Sequence, residues 1–374
     1  MQLKPKQHII VGVSGGVDSA VAAWLLQRQG HRVTGVFMKN WEEDDQENYC
    51  AAAEDFEAAR TVCERLDVPL RSVNFATEYW DQVFSEFLAE VEAGHTPNPD
   101  VLCNREIKFK AFLDFALSLG ADRVATGHYA RIDSDGGCYR LLKGLDANKD
   151  QSYFLYALDQ HALGNSCFPL GELTKPQVRA LAQDAGLPNY ARKDSTGICF
   201  IGERPFRAFL RRYLPPRPGE IRTLSGELKG RHEGLMYYTI GQRTGLGIGG
   251  PGGPWYAVDK DMRANVLYVV EGRDHPALYG AELYARDLHW LAGAGPQLPL
   301  QCSAKIRYRT AAAPCRIETG PKETLRVSFR QVQRAITPGQ SVVFYDNDIC
   351  LGGGIIAWRP SRDELKASGR AASC

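Results

Sequence analysis

The sequence lacks most features that identify membrane, secreted or metal-cluster proteins. Nowhere do about 18 consecutive apolar residues occur, which excludes a membrane-spanning helix. The apolar run near the N-terminus is too short for a signal peptide, so we expect a cytoplasmic protein. The ten cysteines include no CxxC pair, which argues against a zinc ribbon or a typical iron–sulfur site. We therefore expect reduced thiols, no structural disulfides and no metal held stably by the protein.

The net charge is also small, at +1, so it does not by itself indicate a polyanionic partner. The distribution of charge along the chain is more informative. Residues 39–100 contain 16 acidic and 4 basic side chains, whereas residues 192–243 contain 11 basic and 5 acidic ones. This asymmetry is compatible with a nucleic acid bound at one face, but solvated surfaces explain it equally well.

The order of the predicted elements indicates three domains in a chain of 374 residues, which is too long for one ordinary core. Residues 1–198 alternate strands and amphipathic helices, which predicts a doubly wound, mostly parallel α/β domain. Residues 199–271 are expected to form a small central domain with short strands and a glycine-rich run. Residues 272–374 contain short alternating strands separated by turn residues, which predicts a C-terminal β-barrel.

The apolar periodicity also sets approximate element bounds. In the first domain it predicts strands over residues 8–14, 32–38, 70–75 and 122–126, and helices over 17–29, 50–66, 79–93 and 106–119. In the C-terminal domain it predicts strands over residues 305–309, 315–318, 325–328 and 341–345.

The sharpest local signal is the run SGGVDS between the first strand and the first helix. Unpaired backbone N–H groups at a helix N-terminus attract phosphate, and glycines let the backbone approach it closely. Ser14 and Ser19 add hydroxyl donors, whereas Asp18 would brace the loop or hold a magnesium ion. The simpler alternative is a tight turn without a ligand.

Two common phosphate-binding motifs do not fit this run. A Walker loop requires a lysine before its final Ser or Thr, and the dinucleotide fingerprint requires GxGxxG. SGGVDS instead resembles the pyrophosphate loop of the ATP pyrophosphatases, which split ATP into AMP and pyrophosphate and adenylate an oxygen of their substrate. That resemblance implies activation chemistry and leaves the substrate open.

Two cysteines have settings that suggest sulfur chemistry. Cys103 precedes a helix predicted to start near Asn104, where the helix N-terminus would lower the thiol pKa and Arg105 and Lys108 could assist. Cys199 lies in a glycine-flanked loop that a partner could reach. A free cysteine is more often a small buried hydrophobe, and that interpretation is kept for Cys50, Cys63, Cys167 and Cys350.

The motifs GVSGGVDS, MKNW, TPNPDVLCN, ATGHYAR, NKDQSYFL, DSTGICFIG, GLGIGG, TPGQSVVFY and CLGGGII occur in the order found in bacterial tRNA-specific 2-thiouridylases. The chain resembles that family from the first strand to about Trp358. The resemblance implies ATP-dependent adenylation of the C2 oxygen of a wobble uridine, with Mg²⁺, followed by persulfide sulfur transfer. It also implies tRNA and a sulfur donor, either a cysteine desulfurase or a relay protein, as partners.

The same resemblance assigns roles to individual residues. Cys199 would carry the persulfide, Cys103 would be the partner thiol, and Asp100 is expected to handle a proton near the base. The remaining positions fall into three groups, for ATP, for the flipped base and for tRNA. The positions for ATP are Gly12, Val13, Ser14, Gly15, Gly16, Val17, Asp18, Ser19, Met38 and Gly127. Those for the flipped base are Asn98, Pro99 and Asp100. Those for tRNA are His128, Lys149, Asp150, Gln151, Arg307, Tyr308 and Gln340.

Each of these residues also has an ordinary interpretation. His128 at a strand end is typical of a hydrogen-bonded core histidine, Arg307 and Tyr308 of an alternating strand face, and Gln340 of a turn. Two other functions also remain open for the whole chain. One is a small-molecule ligase with the same loop, whose activity would not depend on RNA, and the other is an inactive RNA-binding protein that retains the loop.

Overall fold

A computed structural model describes residues 6–42, 51–193, 206–250 and 252–360. It confirms the predicted fold class, a parallel α/β domain followed by a small central sheet and a closed β-barrel. In the described part of the chain, no helix combines the length and the apolar character needed to cross a bilayer.

The first sheet is parallel throughout and contains the N-terminal strand at its centre. Its first four strands are β1 (His8–Gly12), β2 (Arg32–Lys39), β3 (Leu70–Asn74) and β4 (Arg123–Ala125). A hairpin of β5 (Ala130–Asp135) and β6 (Cys138–Lys143) follows, and β7 (Ser166–Cys167) is the last strand of the sheet. The order is β3-β2-β1-β4-β7, so the loop after β1 lies at the sheet's carboxyl edge.

Helices cover both faces of this sheet, which is why its strands are apolar on both sides. Ile9 and Val11 of β1 pack into one core cluster, whereas Ile10 and Val36 pack with the helix that carries Cys103. The α-helices of this domain are α1 (Val17–Arg28), α2 (Ala51–Leu66), α3 (Ala76–Tyr79), α4 (Ser85–Glu92), α5 (Pro99–Leu102), α6 (Phe112–Ser118), α7 (Gln160–Gly164) and α8 (Lys175–Asp184).

The helix that carries Cys103 differs from the prediction, which placed its start near residue 104. It begins at Pro99, and the side chain of Asn98 caps it by accepting a hydrogen bond from the Asp100 N–H at 3.2 Å. The backbone from Cys103 to Ala111 has π-helical hydrogen bonding with a kink at Phe109, where φ is −115°, and α6 then continues to Ser118. The capping asparagine and the proline at the first helical position are standard start signals, so the earlier start has a sequence explanation.

The central domain contains α9 (Phe206–Arg211) and a four-stranded sheet. Its strands are β8 (Gly219–Thr223), β9 (Leu228–His232), β10 (Trp255–Asp261) and β11 (Val266–Glu271). The order is β10-β11-β8-β9, with β8 and β11 parallel and the other pairs antiparallel.

Six antiparallel strands form the C-terminal barrel, which closes because β12 pairs with both β15 and β17. They are β12 (Tyr279–Trp290), β13 (Leu300–Lys305), β14 (Ala313–Thr319), β15 (Leu325–Arg334), β16 (Ser341–Asp346) and β17 (Ile349–Trp358). The hairpin β5–β6 extends this sheet by pairing with β17. The α/β domain and the barrel therefore share backbone hydrogen bonds.

The predicted strand over residues 305–309 is wrong. Strand β13 ends at Lys305, and the chain then turns, with the Thr310 N–H donating to the Arg307 carbonyl at 3.3 Å. The alternation of polar and apolar residues there reflects a turn in which Ile306 is buried, rather than a strand face.

Candidate functional site

The predicted phosphate loop connects β1 to α1 at the carboxyl edge of the first sheet. Gly15 adopts φ +76°, a conformation that favours glycine, and Gly16 precedes α1 without a side chain that could cap it. The Ser19 hydroxyl accepts from the Ser14 N–H at 3.2 Å and donates to the Gly16 carbonyl at 3.1 Å. The loop is therefore internally braced, and the first turn of α1 presents its N–H groups for an anion.

Asp18 is held by two residues from elsewhere in the α/β domain. The Lys175 ammonium lies 2.7 Å and 2.8 Å from the two carboxylate oxygens, and the Tyr129 hydroxyl donates to one of them at 2.8 Å. Lys175 is only 8% exposed. Of the two roles considered for Asp18, this geometry favours bracing, because both oxygens already have partners.

The back of the loop is fixed by residues that the sequence patterns did not identify. The Gly15 carbonyl accepts from the Asn189 side-chain amide at 2.9 Å and from the Arg192 guanidinium at 3.1 Å. Arg192 also pairs with Asp55 at 2.5 Å. Asn189 and Arg192 follow α8 and Asp55 lies in α2, all without a recognisable motif, so only the fold reveals that they meet at the loop.

Met38 and Gly127 flank the loop on its two sides. A Cβ atom added to Gly12 would lie 3.1 Å from the Met38 methyl carbon, which places that side chain against the loop. A Cβ atom added to Gly127 would lie 2.8 Å from the backbone of Asp18 and Ser19. Glycine at position 127 therefore permits the close approach of the β4 end to α1.

Cys103 lies inside the helix rather than in front of it, and its residue is 0% exposed. The expectation that Cys103 precedes the helix is therefore wrong, because the helix begins four residues earlier at Pro99 and Cys103 lies beyond its first turn. Arg105, which was expected to assist the thiolate, instead pairs with Glu106 at 2.7 Å. Cys199 lies outside the described residues, so its proximity to Cys103 stays a prediction.

The Cys103 helix packs against the strand that leads into the phosphate loop. A Cβ atom on Gly12 would lie 3.5 Å from the ring of Phe112, and Cys103, Ile10 and Val36 share one core cluster. Asn98, Pro99 and Asp100 form the first turn of this helix. The predicted base-binding residues and Cys103 thus belong to one rigid element beside the loop.

His128 follows β4 and is almost fully buried. Its Nδ1 lies 2.7 Å from the Thr126 hydroxyl, and its ring lies 5.8 Å from that of Phe109 in the Cys103 helix. Burial, reinforced by the Lys108 charge, holds the pKa of His128 well below its usual value. The imidazole is therefore neutral at physiological pH.

The segment predicted to contact tRNA at residues 149–151 joins the α/β domain to the barrel. Asp150 is 3% exposed, and its carboxylate pairs with Lys305 of β13 at 2.9 Å. It also accepts from the N–H groups of Gly144 and Ser152. Any contact of Asp150 with RNA in this conformation would have to use its backbone.

Arg307 and Gln340 also make contacts between domains. The Arg307 guanidinium donates to the carbonyls of Ile240 and Ala335 at 2.9 Å and 3.1 Å. The Gln340 amide donates to the Thr96 carbonyl at 2.7 Å, just before the first turn of the Cys103 helix. These residues therefore connect the barrel and the central domain to the predicted base-binding turn.

Within the described residues, no cluster of three or more His, Cys, Asp or Glu side chains could hold a metal ion. The arrangement provides an anion-binding loop, a thiol on an adjacent helix and a joint between all three domains. Such a site can activate a substrate with a nucleotide, and its thiol can take part in sulfur transfer once it is uncovered.

Three family models match the chain in sequence. They are described as a tRNA methyl transferase HUP domain over residues 7–203, a tRNA methyl transferase PRC-barrel domain over 207–271 and an aminomethyltransferase beta-barrel domain over 280–356. The three matches follow one another in the order of the sheets described above.

Curated relatives match almost the whole chain. The tRNA-specific 2-thiouridylase MnmA of Methylococcus capsulatus is 62% identical and covers 94% of this chain and 96% of its own length. The enzyme of the same name from Nitrosomonas eutropha is 59% identical and covers 94% and 98%. A solved 4-thiouridine synthetase–RNA complex with bound ATP is 17% identical with a TM-score of 0.32, covering 53% and 46%, which is too weak to bear on function.

Proposed function

The chain belongs to the tRNA-specific 2-thiouridylases, and from this membership we infer that it is a tRNA-uridine 2-sulfurtransferase. The identity of 62% over 94% of the chain is the observation that carries this function. The C2 oxygen of the wobble uridine attacks the α-phosphorus of ATP and releases pyrophosphate. Persulfide sulfur then attacks C2 and displaces AMP, which leaves 2-thiouridine.

The activation half of the reaction is assigned to the loop of residues 12–19. Its glycine backbone and the start of α1 would bind the phosphates of ATP, with Met38 and Gly127 beside the adenosine. Because Lys175 and Tyr129 engage both oxygens of Asp18, Mg²⁺ would be held by the phosphates and water rather than by a protein cage.

The sulfur half is assigned to Cys199 and Cys103. The terminal sulfur of a Cys199 persulfide attacks C2 and expels AMP, which links Cys199 to the base through a disulfide. The Cys103 thiolate then attacks the Cys199 sulfur, releases the 2-thiouridine and leaves a Cys103–Cys199 disulfide. A thiol reductant returns both cysteines to the reduced state, and a cysteine desulfurase or relay protein reloads Cys199.

The target uridine must leave its stack, because a stacked base hides its C2 oxygen. Asn98, Pro99 and Asp100 would contact the flipped base, with Asp100 as the group that handles a proton. The tRNA contacts would come from His128, Lys149, Asp150, Gln151, Arg307, Tyr308 and Gln340. The link from Gln340 to the Thr96 carbonyl supports a coupling between RNA binding and this turn.

Pyrophosphate release from ATP, measured with and without tRNA, tests this function. We expect release only when tRNA with a wobble uridine is present, together with 2-thiouridine once a persulfide donor is added. Release that ignores RNA would identify a small-molecule ligase. RNA binding without any release would identify an inactive RNA-binding protein.

A further inference from the structure

Asn104, the residue that follows Cys103, has a side-chain oxygen without a partner. Its residue is 2% exposed, and its Nδ2 donates to the Phe154 carbonyl at 3.1 Å. Its Oδ1 is buried and accepts no hydrogen bond from any described residue. Neither the sequence motifs nor the mechanism above gives this oxygen a role.

The orientation of the amide follows from its contact with Phe154. A flipped amide would place Oδ1 against the Phe154 carbonyl oxygen, and two acceptors repel each other. The free atom is therefore an acceptor. A buried acceptor without a donor costs folding free energy, and a donor that arrives with a ligand beside Cys103 would recover that cost.

The surroundings of Asn104 are suited to a nucleobase. The half-buried rings of Phe154 and Tyr308 lie 4.5 Å apart, and the carbonyl of the same Phe154 holds Asn104. Asn98, in the predicted base-binding turn, interacts with the hydroxyl of the neighbouring Tyr153. Aromatic side chains of this kind stack on unpaired bases, and Asn104 is hydrogen-bonded to the backbone of one of them.

The helix backbone at this point is unusual as well. A π-helical hydrogen-bond pattern begins at Cys103 and is interrupted by a kink at Phe109, and π-helical segments occur often at functional sites. Cys103 is 0% exposed, so a base that reaches it must displace neighbouring groups. Asn104 is the next residue in that stretch and is 2% exposed, so a base would also have to displace neighbouring groups to reach it.

Uracil and cytosine differ at N3, which is an N–H donor in uracil and an acceptor in cytosine. We propose that the Asn104 Oδ1 accepts a hydrogen bond from N3–H of the flipped uridine and so selects uracil over cytosine. This proposal rests on the function inferred above. An amide oxygen is too weak a base to remove the proton, so Asn104 selects and positions the base before activation.

The test measures the affinity of the full-length enzyme for two tRNAs in the presence of an ATP analogue with a methylene bridge between the α and β phosphorus atoms. One tRNA has uridine at the wobble position, and the other has 3-deazauridine, in which C–H replaces N3–H. The wild-type enzyme should bind the deaza tRNA about tenfold more weakly, as expected for one lost hydrogen bond to a buried acceptor. In Asn104→Ala the two affinities should agree within about twofold.

Ser166→Ala is the matched control, because the Ser166 hydroxyl is also buried and unpartnered among the described residues but lies in β7, outside the phosphate loop and the Cys103 helix. That variant should keep the tenfold ratio. Equal affinities of the wild-type enzyme for the two tRNAs would overturn the proposal, even if Asn104→Ala fails to fold. A folded Asn104→Ala that keeps the wild-type ratio of the two affinities would also overturn it. A failure of the proposed function is distinguishable, because uridine tRNA would then trigger no pyrophosphate release.

Discussion

The phosphate loop and the Cys103 helix lie side by side, yet the protein prepares them differently. The loop is held in place by Lys175, Asn189 and Arg192, and Ser14 at its front is exposed. Cys103 is fully buried, and its helix switches to π-helical geometry at that residue. The proposed ATP site is therefore already formed in this conformation, whereas the proposed sulfur site has to be opened.

The largest expected effect is that of a substitution at Cys199, which should separate the activation step from the sulfur-transfer step. Cys199→Ser should release pyrophosphate with tRNA but form no 2-thiouridine, because it cannot carry the persulfide sulfur. It should also fail to accept labelled sulfur from a cysteine desulfurase, which is measured by the label retained on the protein. Cys63→Ala is the control, because burial raises the pKa of Cys63 to about 11 and leaves it a neutral thiol. Normal thiolation by Cys199→Ser would contradict the assignment.

The second effect concerns the braced loop. Asp18→Ala removes the partner of Lys175 and should lower tRNA-dependent pyrophosphate release by about a hundredfold or more, because misplaced phosphates lose their alignment. The affinity for tRNA should change less than about twofold, since Asp18 lies in the nucleotide half. An equal loss of tRNA affinity and activity would mean that the two sites are not separable.

The third effect concerns the joint between the domains. The affinity for tRNA should fall steeply with salt, because phosphate contacts release counterions. Arg307→Ala should reduce the slope of log affinity against log salt by at most about one. It should also lower the melting temperature, since the guanidinium connects the carbonyls of Ile240 and Ala335. An affinity that is independent of salt would contradict an RNA-binding surface.

The smallest effect is a dependence of stability on pH. Burial lowers the pKa of Lys260 from 10.5 to about 8, and its ammonium donates to the Gly94 carbonyl near the base-binding turn. Between pH 8 and 10.5 the unfolded chain binds more protons at this lysine than the folded one, so this contribution to stability rises with pH. Lys260→Met should lack this rise, which is on the order of 1 kcal/mol.

Urea unfolding of the wild type and of Lys260→Met at pH 8 and pH 10 measures this difference. The free energy of unfolding of Lys260→Met minus that of the wild type should decrease as the pH rises. A constant difference would show that Lys260 keeps an ordinary pKa in the folded protein.

The position of the loop between β1 and α1 was predictable because its sequence signals are local. The residues from Gly12 to Ser19 are contiguous, and both the glycines and the start of the helix can be recognised from the sequence. The residues that hold the loop in place were not predictable. Lys175 contacts Asp18 although 157 residues separate them in the sequence, and no motif marks the pair. Local patterns do not encode which distant side chains the fold brings to a loop.

The Cys103 helix shows a second limit of sequence reasoning. Asn98 and Pro99 mark its start, whereas the apolar periodicity predicts a helix only over residues 106–119. The π-helical geometry from Cys103 onward has no comparable signal, because it depends on packing against the rest of the core. The burial of Cys103 therefore emerges only from the tertiary structure.

The most direct test of the two-site account is the stoichiometry of products formed by Cys103→Ser with ATP, tRNA and a persulfide donor. In the wild type, pyrophosphate and 2-thiouridine should form in equal amounts. Cys103→Ser should release pyrophosphate at a tRNA-dependent rate and yield no free 2-thiouridine, because the linkage between Cys199 and the base is not resolved. Normal 2-thiouridine formation by Cys103→Ser, or pyrophosphate release without tRNA, would contradict the account.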